Sequence, residues 1–381
     1  MKKKKVIVAG HICLDITPVF SGTEAEHLED VLSPGKLVEM KEADVHTGGS
    51  VANTGLAMKL LGADVTLMGE IGRDAFGEMV LNILKQYHAE SGMLVSDRLS
   101  TSYSVVIAVP GIDRIFLHHP GANNAFRSDD IPEDKLKDVS LFHFGYPPLM
   151  KAMYERDGME LEKLMKRMKA AGIATSLDMA AVDAASEAGR AEWKAILRRV
   201  LVLRHVDFFV PSVEELCFML DRGRFEEWQQ RAKGRDITEC LDVETDIKPL
   251  ADTCMKLGAK VLLIKCGAPG IYYRTAEEKV LRTIGGDLLP DLQTWADREG
   301  FESSYVPEKI VSGTGAGDTS IAAFLTAVLE GCSLEESLHL AAATGASCVA
   351  SYDALSGLKT FAQLREKIGQ GWQKVNPQTT E

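Results

Sequence analysis

Residues 313–325 read GTGAGDTSIAAFL and carry the strongest local signal in the chain. Three glycines at alternate positions let the backbone turn sharply and leave its N–H groups unshielded. The apolar run that follows predicts a helix, and the positive end of its dipole favours an anion at the same place. Asp318 falls in the first turn, where a carboxylate suits removal of a proton from an attacking hydroxyl. The alternative is a tight turn in which Asp318 only caps the helix.

A second glycine motif, Gly48-Gly49, precedes a helix predicted over residues 50–61. The glycine pair lets a ligand approach the backbone, and Asn53 in the first turn offers both a donor and an acceptor. Asp15 follows the first predicted strand, and the carboxyl ends of strands line the crevice of an open α/β sheet. These side chains together suit a ligand with several hydroxyl groups.

Strands and helices alternate along most of the chain, which predicts a mostly parallel sheet covered by helices on both faces. Two segments do not fit the alternation, about 12–47 and about 98–120, and they predict a small β lid. Two further stretches, 221–246 and 285–306, are predicted to be surface insertions. We therefore expect one α/β domain over residues 1–381.

Composition excludes several classes of protein. The 381 residues are 45% hydrophobic and 26% charged, which is typical of a globular chain. A net charge of −12 argues against a nucleic-acid partner. No apolar run approaches the roughly 18 residues that a membrane span needs. The seven cysteines include no C-x-x-C pair, so reduced thiols and a cytoplasmic location are expected.

Competing phosphate-binding motifs are absent from the sequence. The only Gly-Lys pair, Gly35-Lys36, has neither the following Ser or Thr nor the earlier glycine of a P-loop. No G-x-G-x-x-G occurs, which weakens a dinucleotide-binding interpretation. Neither the H-R-D loop of protein kinases nor an H-E-x-x-H zinc motif is found.

Three segments in order resemble one family. The first is GGSVAN at residues 48–53, continued by GA at 62–63, Gly69, GRD at 72–74 and Gly77; the second is HPGANNA at 119–125; the third is TGAGDT at 314–319. Together they resemble the ribokinase-like carbohydrate kinases of the phosphofructokinase B type. The resemblance implies a three-layer α/β/α domain with a mostly parallel central sheet and a small β lid.

The resemblance also implies ATP-dependent phosphorylation of a hydroxymethyl group on a sugar or nucleoside, with Mg²⁺. Asp318 is then the catalytic base, and the amides of Gly315, Ala316 and Gly317 stabilise the transferring phosphoryl group. Substrate hydroxyls are expected on Asp15, Gly48, Gly49 and Asn53. The lid is expected to exclude water and to form a homodimer contact.

On the nucleotide side the resemblance implies roles for Ser212, Lys265, Gly267, Gly270 and Thr314, with Glu215 acting indirectly on Mg²⁺. Ser212 replaces the Asn of the family's Asn-x-x-Glu motif, and Lys265-Cys266-Gly267 replaces Thr-x-Gly. Lys265 either contacts ATP phosphates or is simply solvated. Ser312 and Asp353 depart from the family pattern at positions that bear on a monovalent-cation site, so K⁺ dependence does not follow.

Three functions stay open at this point. The leading hypothesis is a kinase for a primary hydroxyl of a sugar. A nucleoside kinase is the alternative enzyme, and an aromatic or apolar wall near the sugar site would favour it. The third is a non-catalytic nucleotide or sugar sensor, which the intact Asp318 argues against and the altered Ser212, Ser312 and Lys265 favour. Tyr146 is a further candidate for the border of the substrate pocket.

Overall fold

The computed structural model describes residues 3–22, 25, 27–112 and 114–375. Its strands are β1 (Lys5–Gly10), β2 (Cys13–Thr17), β3 (Asp44–Gly48), β4 (Asp64–Met68), β5 (Glu70–Gly72), β6 (Leu94–Ser96), β7 (Tyr103–Ile107), β8 (Ile115–His119), β9 (Val139–Gly145), β10 (Ala174–Leu177), β11 (Phe208–Phe209), β12 (Val261–Lys265), β13 (Gly270–Thr275) and β14 (Glu299–Ser303).

The α-helices are α1 (Leu28–Val31), α2 (Ser50–Leu60), α3 (Ala75–Gln86), α4 (Lys151–Tyr154), α5 (Met159–Ala170), α6 (Trp193–Val202), α7 (Val213–Leu220), α8 (Arg222–Ala232), α9 (Lys248–Leu257), α10 (Glu278–Leu281), α11 (Leu292–Trp295), α12 (Ala316–Glu330), α13 (Leu334–Cys348) and α14 (Phe361–Gly369). Within the described ranges, no helix combines the length and apolarity needed to cross a bilayer.

The main sheet has eight strands in the order β14-β13-β12-β11-β10-β9-β1-β4. The six strands from β12 to β4 run parallel to their neighbours, and β13 and β14 each run antiparallel to the preceding strand. Parallel strands place their carboxyl ends at one edge, where the loops that follow them meet.

Helices cover both faces of this sheet. Each face of the sheet packs against its own layer of helices and forms a separate hydrophobic core. Alternate residues of β1 belong to different cores, because successive side chains of a strand point to opposite faces. Ile7 and Ala9 pack with residues of α5, α6, α7 and α9, whereas Val6 and Val8 pack with residues of α2, α3, α12 and α13. The predicted mostly parallel sheet with helices on both sides is confirmed.

A separate four-stranded sheet has the order β3-β2-β7-β8, and two residues separate its strand β2 from the end of β1. Apart from Gly48 at the end of β3, its strands fall inside the segments 12–47 and 98–120 that the sequence predicts to form a lid. β8 is an edge strand, and its residues Ile115, Phe116 and Leu117 are exposed. We call this sheet the lid; its closing function stays a prediction.

The two stretches predicted as insertions contribute to both cores. In 221–246, α8 buries Trp228. In 285–306, α11 buries Trp295, and β14 extends the main sheet by one strand. Whether these stretches are insertions stays a prediction, but they are not confined to the surface.

A buried ion pair links the middle strands of the main sheet. Asp207, which precedes β11, is fully buried and accepts hydrogen bonds from Lys260 Nζ at 2.5 Å and Lys169 Nζ at 2.7 Å. It also accepts from the backbone N–H of Thr175 at the start of β10. Lys260 is only 1% exposed, and burial lowers its pKa. The Asp207 carboxylate therefore compensates a cation that has no access to bulk water.

We expect Asp207→Asn to lower the free energy of unfolding by about 3–5 kcal/mol, because it leaves the Lys260 ammonium buried without its counter-charge. Urea unfolding followed by circular dichroism measures the change. Asp97→Asn is the matched control, since Asp97 pairs with Arg73 and both side chains are more than two-thirds exposed. The control should lose less than about 1 kcal/mol. Equal losses in the two variants would contradict the buried pair's importance.

Candidate active site

Asp318 lies in the first turn of α12 and is 5% exposed. Its carboxylate accepts hydrogen bonds from three side chains: Asn53 Nδ2 at 3.0 Å, Thr54 Oγ1 at 3.3 Å, and the Tyr146 hydroxyl at 2.8 Å to each oxygen. Asn53 and Thr54 belong to α2, and Tyr146 follows β9. Asp318 does not cap its own helix, so the alternative of a purely capping aspartate is wrong.

The glycine loop before α12 depends on Gly315. This residue is the N-cap of α12 and has φ of +73°, the left-handed region that other residues seldom adopt. A Cβ at Gly315 would overlap the methyl group of Ala354. The helix starts at Ala316, and its first N–H groups have no partner within the helix, which is the arrangement that binds anions; the Ala316 N–H donates to the Gly313 carbonyl at 3.3 Å.

Two cavities meet at Asp318. The first, of about 780 Å³, lies under the lid and is lined by residues of β2, β7, β8 and α2; we call it the lid cavity. The second, of about 670 Å³, lies along the glycine loop and reaches α7, β12 and β13; we call it the loop cavity. Asp318, Gly315 and Tyr146 line both cavities. A group transferred between ligands in the two cavities would pass this carboxylate.

Three of the four predicted substrate residues line the lid cavity: Asp15, Gly49 and Asn53. Gly48 does not line it. A Cβ at Gly48 would overlap the Asp15 carboxylate, so this glycine makes room for the acid rather than for a ligand. The structure thus brings Asp15 from β2 and Asn53 from α2 into one cavity.

His11 was missed by sequence reasoning. It lines the lid cavity, is 2% exposed, and neither ring nitrogen has a hydrogen-bond partner among the described residues. Burial lowers its pKa well below the usual value, and His118 lowers it further. A neutral imidazole offers one donor and one acceptor to a ligand. The signal was its position directly after β1, at the carboxyl edge of the sheet.

Part of the lid cavity is apolar or aromatic. Phe116 of the lid, Tyr146, Leu149 and Val182 line it. The His11 ring lies 5.1 Å from that of His118 and 6.2 Å from that of Tyr146, measured between centroids. The residues predicted to bind hydroxyls therefore share this cavity with flat and apolar side chains.

The loop cavity contains most of the residues predicted on the nucleotide side: Ser212, Glu215, Lys265, Gly267 and Gly270. Ala316 and Gly317 line it as well. Thr314 instead lines the lid cavity, where its hydroxyl accepts a hydrogen bond from Arg114 of the lid. Thr314 therefore connects the lid to the glycine loop.

Lys265 forms a buried ion pair beside the glycine loop. Its Nζ lies 2.7 and 2.8 Å from the two oxygens of Asp178, which is fully buried at the end of β10. A Cβ on Gly317 would lie 3.8 Å from the same Nζ. Because the Lys265 side chain is only 13% exposed, the alternative of a solvated lysine is wrong.

The charges around Lys265 are mostly negative. Burial by itself would lower the pKa of Lys265, but Asp178, Glu215 and Asp318 raise it above its usual value. Burial raises the pKa of Asp178, and the carboxylates of Glu215 and Asp318 raise it further. The ammonium is therefore a cation held among three acids at the place where phosphate charge is expected.

Glu215 is fixed by a capping box at the start of α7. Ser212 Oγ accepts from the Glu215 N–H, and Glu215 Oε2 accepts from the Ser212 N–H at 2.8 Å. Serine therefore performs the capping that fixes the acid. The carboxylate oxygens of Glu215 are ligands that suit a hard cation such as Mg²⁺, which phosphates also bind. Among the described residues no group of three or more His, Cys, Asp or Glu side chains is arranged to hold a metal by itself.

Asp353 is occupied within its own loop. Its carboxylate accepts hydrogen bonds from the N–H groups of Leu355 and Ser356 and from the Ser356 hydroxyl. Ser312 donates to the Thr314 hydroxyl at 3.0 Å. Both positions that bear on a monovalent cation thus have local hydrogen-bonding roles.

The sequence pattern of the pfkB family carbohydrate kinases matches residues 3–360. The chain belongs to this family. It is 25% identical over 379 residues to the probable fructokinase-5 of Arabidopsis thaliana, covering 95% of this chain and 96% of that protein. It is 22% identical over 371 residues to a 5-dehydro-2-deoxygluconokinase of Clostridium perfringens, covering 96% of this chain and 93% of the other.

The structure of Arabidopsis thaliana ribokinase, complexed with ribose and ATP, superposes with a TM-score of 0.67 at 21% identity. The superposition covers 96% of this chain and 98% of the ribokinase. The predicted family, the ribokinase-like fold and the class of enzyme, a sugar kinase, are confirmed. The roles of the individual site residues stay predictions.

We expect Lys265→Met to lower the free energy of unfolding by about 3–5 kcal/mol, because Asp178 is left buried without its cation. The double variant Asp178→Asn/Lys265→Met removes both charges and should recover most of this stability. Urea unfolding measures both.

In the same variants, ADP release from ATP distinguishes a role of Lys265 in binding phosphate from a purely structural role. If Lys265 contacts phosphates, turnover falls roughly tenfold or more in Lys265→Met and stays low in the double variant, since a charged hydrogen bond is lost in both. Recovery of turnover in the double variant would mean that Lys265 serves only to neutralise Asp178.

Proposed function

We propose that this sugar kinase transfers the γ-phosphoryl group of ATP to a primary hydroxyl of its acceptor, with Asp318 as the catalytic base. The observation that carries the proposal is the meeting of the lid cavity and the loop cavity at Asp318 and Gly315. The acceptor occupies the lid cavity and ATP occupies the loop cavity. The attacking oxygen and the transferred phosphorus then lie on either side of one carboxylate.

Acceptor hydroxyls bind to Asp15, the Gly49 backbone and Asn53, and the imidazole of His11 takes one more. These contacts orient the primary hydroxyl toward Asp318, which accepts its proton as the oxygen attacks phosphorus. Holding both reactants in one geometry removes much of the entropic cost of the reaction. The lid, linked to the glycine loop through Arg114 and Thr314, keeps water away from the phosphoryl group.

On the phosphate side, charge that develops on the transferring group is stabilised by the N–H groups of Gly315, Ala316 and Gly317. Lys265 provides a cation next to the same loop, and Ser212, Gly267 and Gly270 border the nucleotide. Glu215 would help to hold Mg²⁺ indirectly, and this ion would neutralise part of the charge of the ATP phosphates. We do not assign a K⁺ site, because Ser312 is hydrogen-bonded to Thr314 and Asp353 is hydrogen-bonded within its own loop.

A nucleoside is the second candidate acceptor. The observation that favours it is the apolar and aromatic part of the lid cavity, formed by Phe116, Tyr146, Leu149 and Val182. A flat base could stack against these side chains while its ribose binds Asp15 and Asn53. A sugar without such a group leaves this surface uncovered.

The lid also supports the proposal of a homodimer. Among the described strands, β8 lies at the edge of the lid, and Ile115, Phe116 and Leu117 are exposed on it. Two lids paired through β8 would cover this apolar strand.

All seven cysteines lie within the described residues and none is in a disulfide, in keeping with our proposal of a cytoplasmic enzyme.

We expect ADP release from Mg-ATP to depend on one acceptor in a panel of pentoses, hexoses, keto-sugar acids and nucleosides. Asp318→Asn should reduce this turnover by roughly 10²–10⁴-fold, because the base is lost. A coupled ADP assay with and without K⁺ measures it, and Asp97→Asn on the surface is the matched control. Removal of Mg²⁺ by a chelator should abolish the signal.

Near-full activity in Asp318→Asn would refute its role as base. If ATP or a sugar raises the melting temperature but no acceptor stimulates ADP release, the chain is a sensor rather than a kinase. Stimulation by nucleosides alone would select the second candidate.

We expect the wild type to sediment as a dimer and Leu117→Glu to sediment as a monomer, because a charge on the apolar edge strand opposes its burial. Sedimentation velocity distinguishes the two. Met159→Glu is the matched control, since Met159 is equally exposed on α5 and lies outside the lid. A monomeric wild type, or a dimeric Leu117→Glu variant, would contradict the lid interface.

A further inference from the structure

The hydroxyl group of Tyr146 spans the Asp318 carboxylate. It lies 2.8 Å from Oδ1 and 2.8 Å from Oδ2, so it is within hydrogen-bond distance of both oxygens. Asn53 and Thr54 contact one oxygen each. Tyr146 is thus the only donor among the described residues that engages both oxygens of this carboxylate.

The backbone aims the phenol at this position. Tyr146 follows the last residue of β9 with φ of 65° and ψ of 41°, a left-handed conformation that a bulky residue seldom adopts. Pro147 and Pro148 follow directly in a buried turn and restrict the chain on that side. The His11 ring lies 6.2 Å from the Tyr146 ring. The phenol is therefore held between a rigid turn and the cavity wall.

The hydroxyl stays a donor at neutral pH. Burial raises the pKa of Tyr146 well above its usual value, and the carboxylates of Asp318 and Asp178 raise it further. Tyr146 therefore does not compete with Asp318 for the role of base. It competes with whichever hydroxyl approaches that base.

We propose that Tyr146 is a positioning residue that caps Asp318, so that the acceptor activates the base and water does not. The inference rests on the proposed role of Asp318 as base. An acceptor held by Asp15, Asn53 and His11 delivers its hydroxyl with enough binding energy to share or displace the phenol. A water molecule has no such additional contacts and leaves the cap in place.

The reaction that the cap suppresses is hydrolysis of ATP. In that reaction a water oxygen bonds to the γ-phosphorus, and the bond from this phosphorus to the bridging oxygen of ADP breaks. One water proton passes to Asp318, and the products are ADP and phosphate. Removing the phenolic hydroxyl opens Asp318 to water without removing the base.

The test is Tyr146→Phe, which keeps the ring and removes only the hydroxyl. ADP release from Mg-ATP without any acceptor should rise roughly tenfold, the value of one hydrogen bond to a charged group. The rise should disappear in the double variant Tyr146→Phe/Asp318→Asn, because water then lacks its base. Tyr146→Leu, which also lacks the hydroxyl, should show the same increase, and thermal unfolding verifies that each variant is folded.

Tyr272→Phe is the matched control. Tyr272 also donates to a carboxylate, Glu299 at 2.9 Å, but it lines neither cavity. Its loss should leave ADP release without acceptor unchanged, so a general effect of losing a buried phenol is excluded.

Acceptor-free ADP release equal to wild type in both Tyr146 variants would overturn the proposal. So would an increase that persists when Asp318 is replaced, because the water would then be activated elsewhere. The assay needs only ATP and water. If the wild type phosphorylates no acceptor in the panel, the proposed function fails while this comparison still decides the role of Tyr146.

Discussion

A carboxylate taken out of water needs donors around it, and Asp318 obtains its donors from distant parts of the chain. α2 supplies Asn53 and Thr54, the end of β9 supplies Tyr146, and Asp318 itself comes from α12. These elements meet only because β1 and β9 are neighbours in the parallel sheet, with α2 and α12 packed on the same face. The rest of the site is arranged around this contact.

A second constraint is the balance of charge on the loop side. Asp178, Glu215 and Asp318 act on the same Lys265, so the site has more acids than bases before any ligand enters. Such a place repels phosphates unless other groups compensate. In this chain the positive charge that compensates the acids comes from the Lys265 ammonium and from the N–H groups at the start of α12. The proposed use of Mg²⁺ is supported by that excess of negative charge as much as by the charge of the phosphates themselves.

Local patterns predicted the parts of the molecule in which neighbouring residues decide the structure. The glycine loop, α2, α12, and most strands of the main sheet follow from turn residues and apolar runs. The pairing of Lys265 with Asp178 spans 87 residues, and that of Tyr146 with Asp318 spans 172, so no local pattern contains them. α6 went unpredicted although apolar side chains occur at helical spacing on its buried face. β3 lies in a polar stretch without clear alternation, and only its pairing with β2 makes it a strand.

The residues that the sequence predicted lie on both sides of the site: Asp318 and the glycine loop toward the loop cavity, and Asp15, Gly49 and Asn53 in the lid cavity. Asp318 is buried and the glycine loop before it is mostly half-buried, and the spacing of the glycines indicates both. Other residues that line the lid cavity come from segments without such a pattern: Phe116 and His118 from the lid, and Val182 from the segment after β10. Residues of β8 are mostly exposed, so they can change at little cost to the fold, whereas Leu14 of β2 is buried in the core. A family with one reaction and many acceptors is the expected result of such a structure.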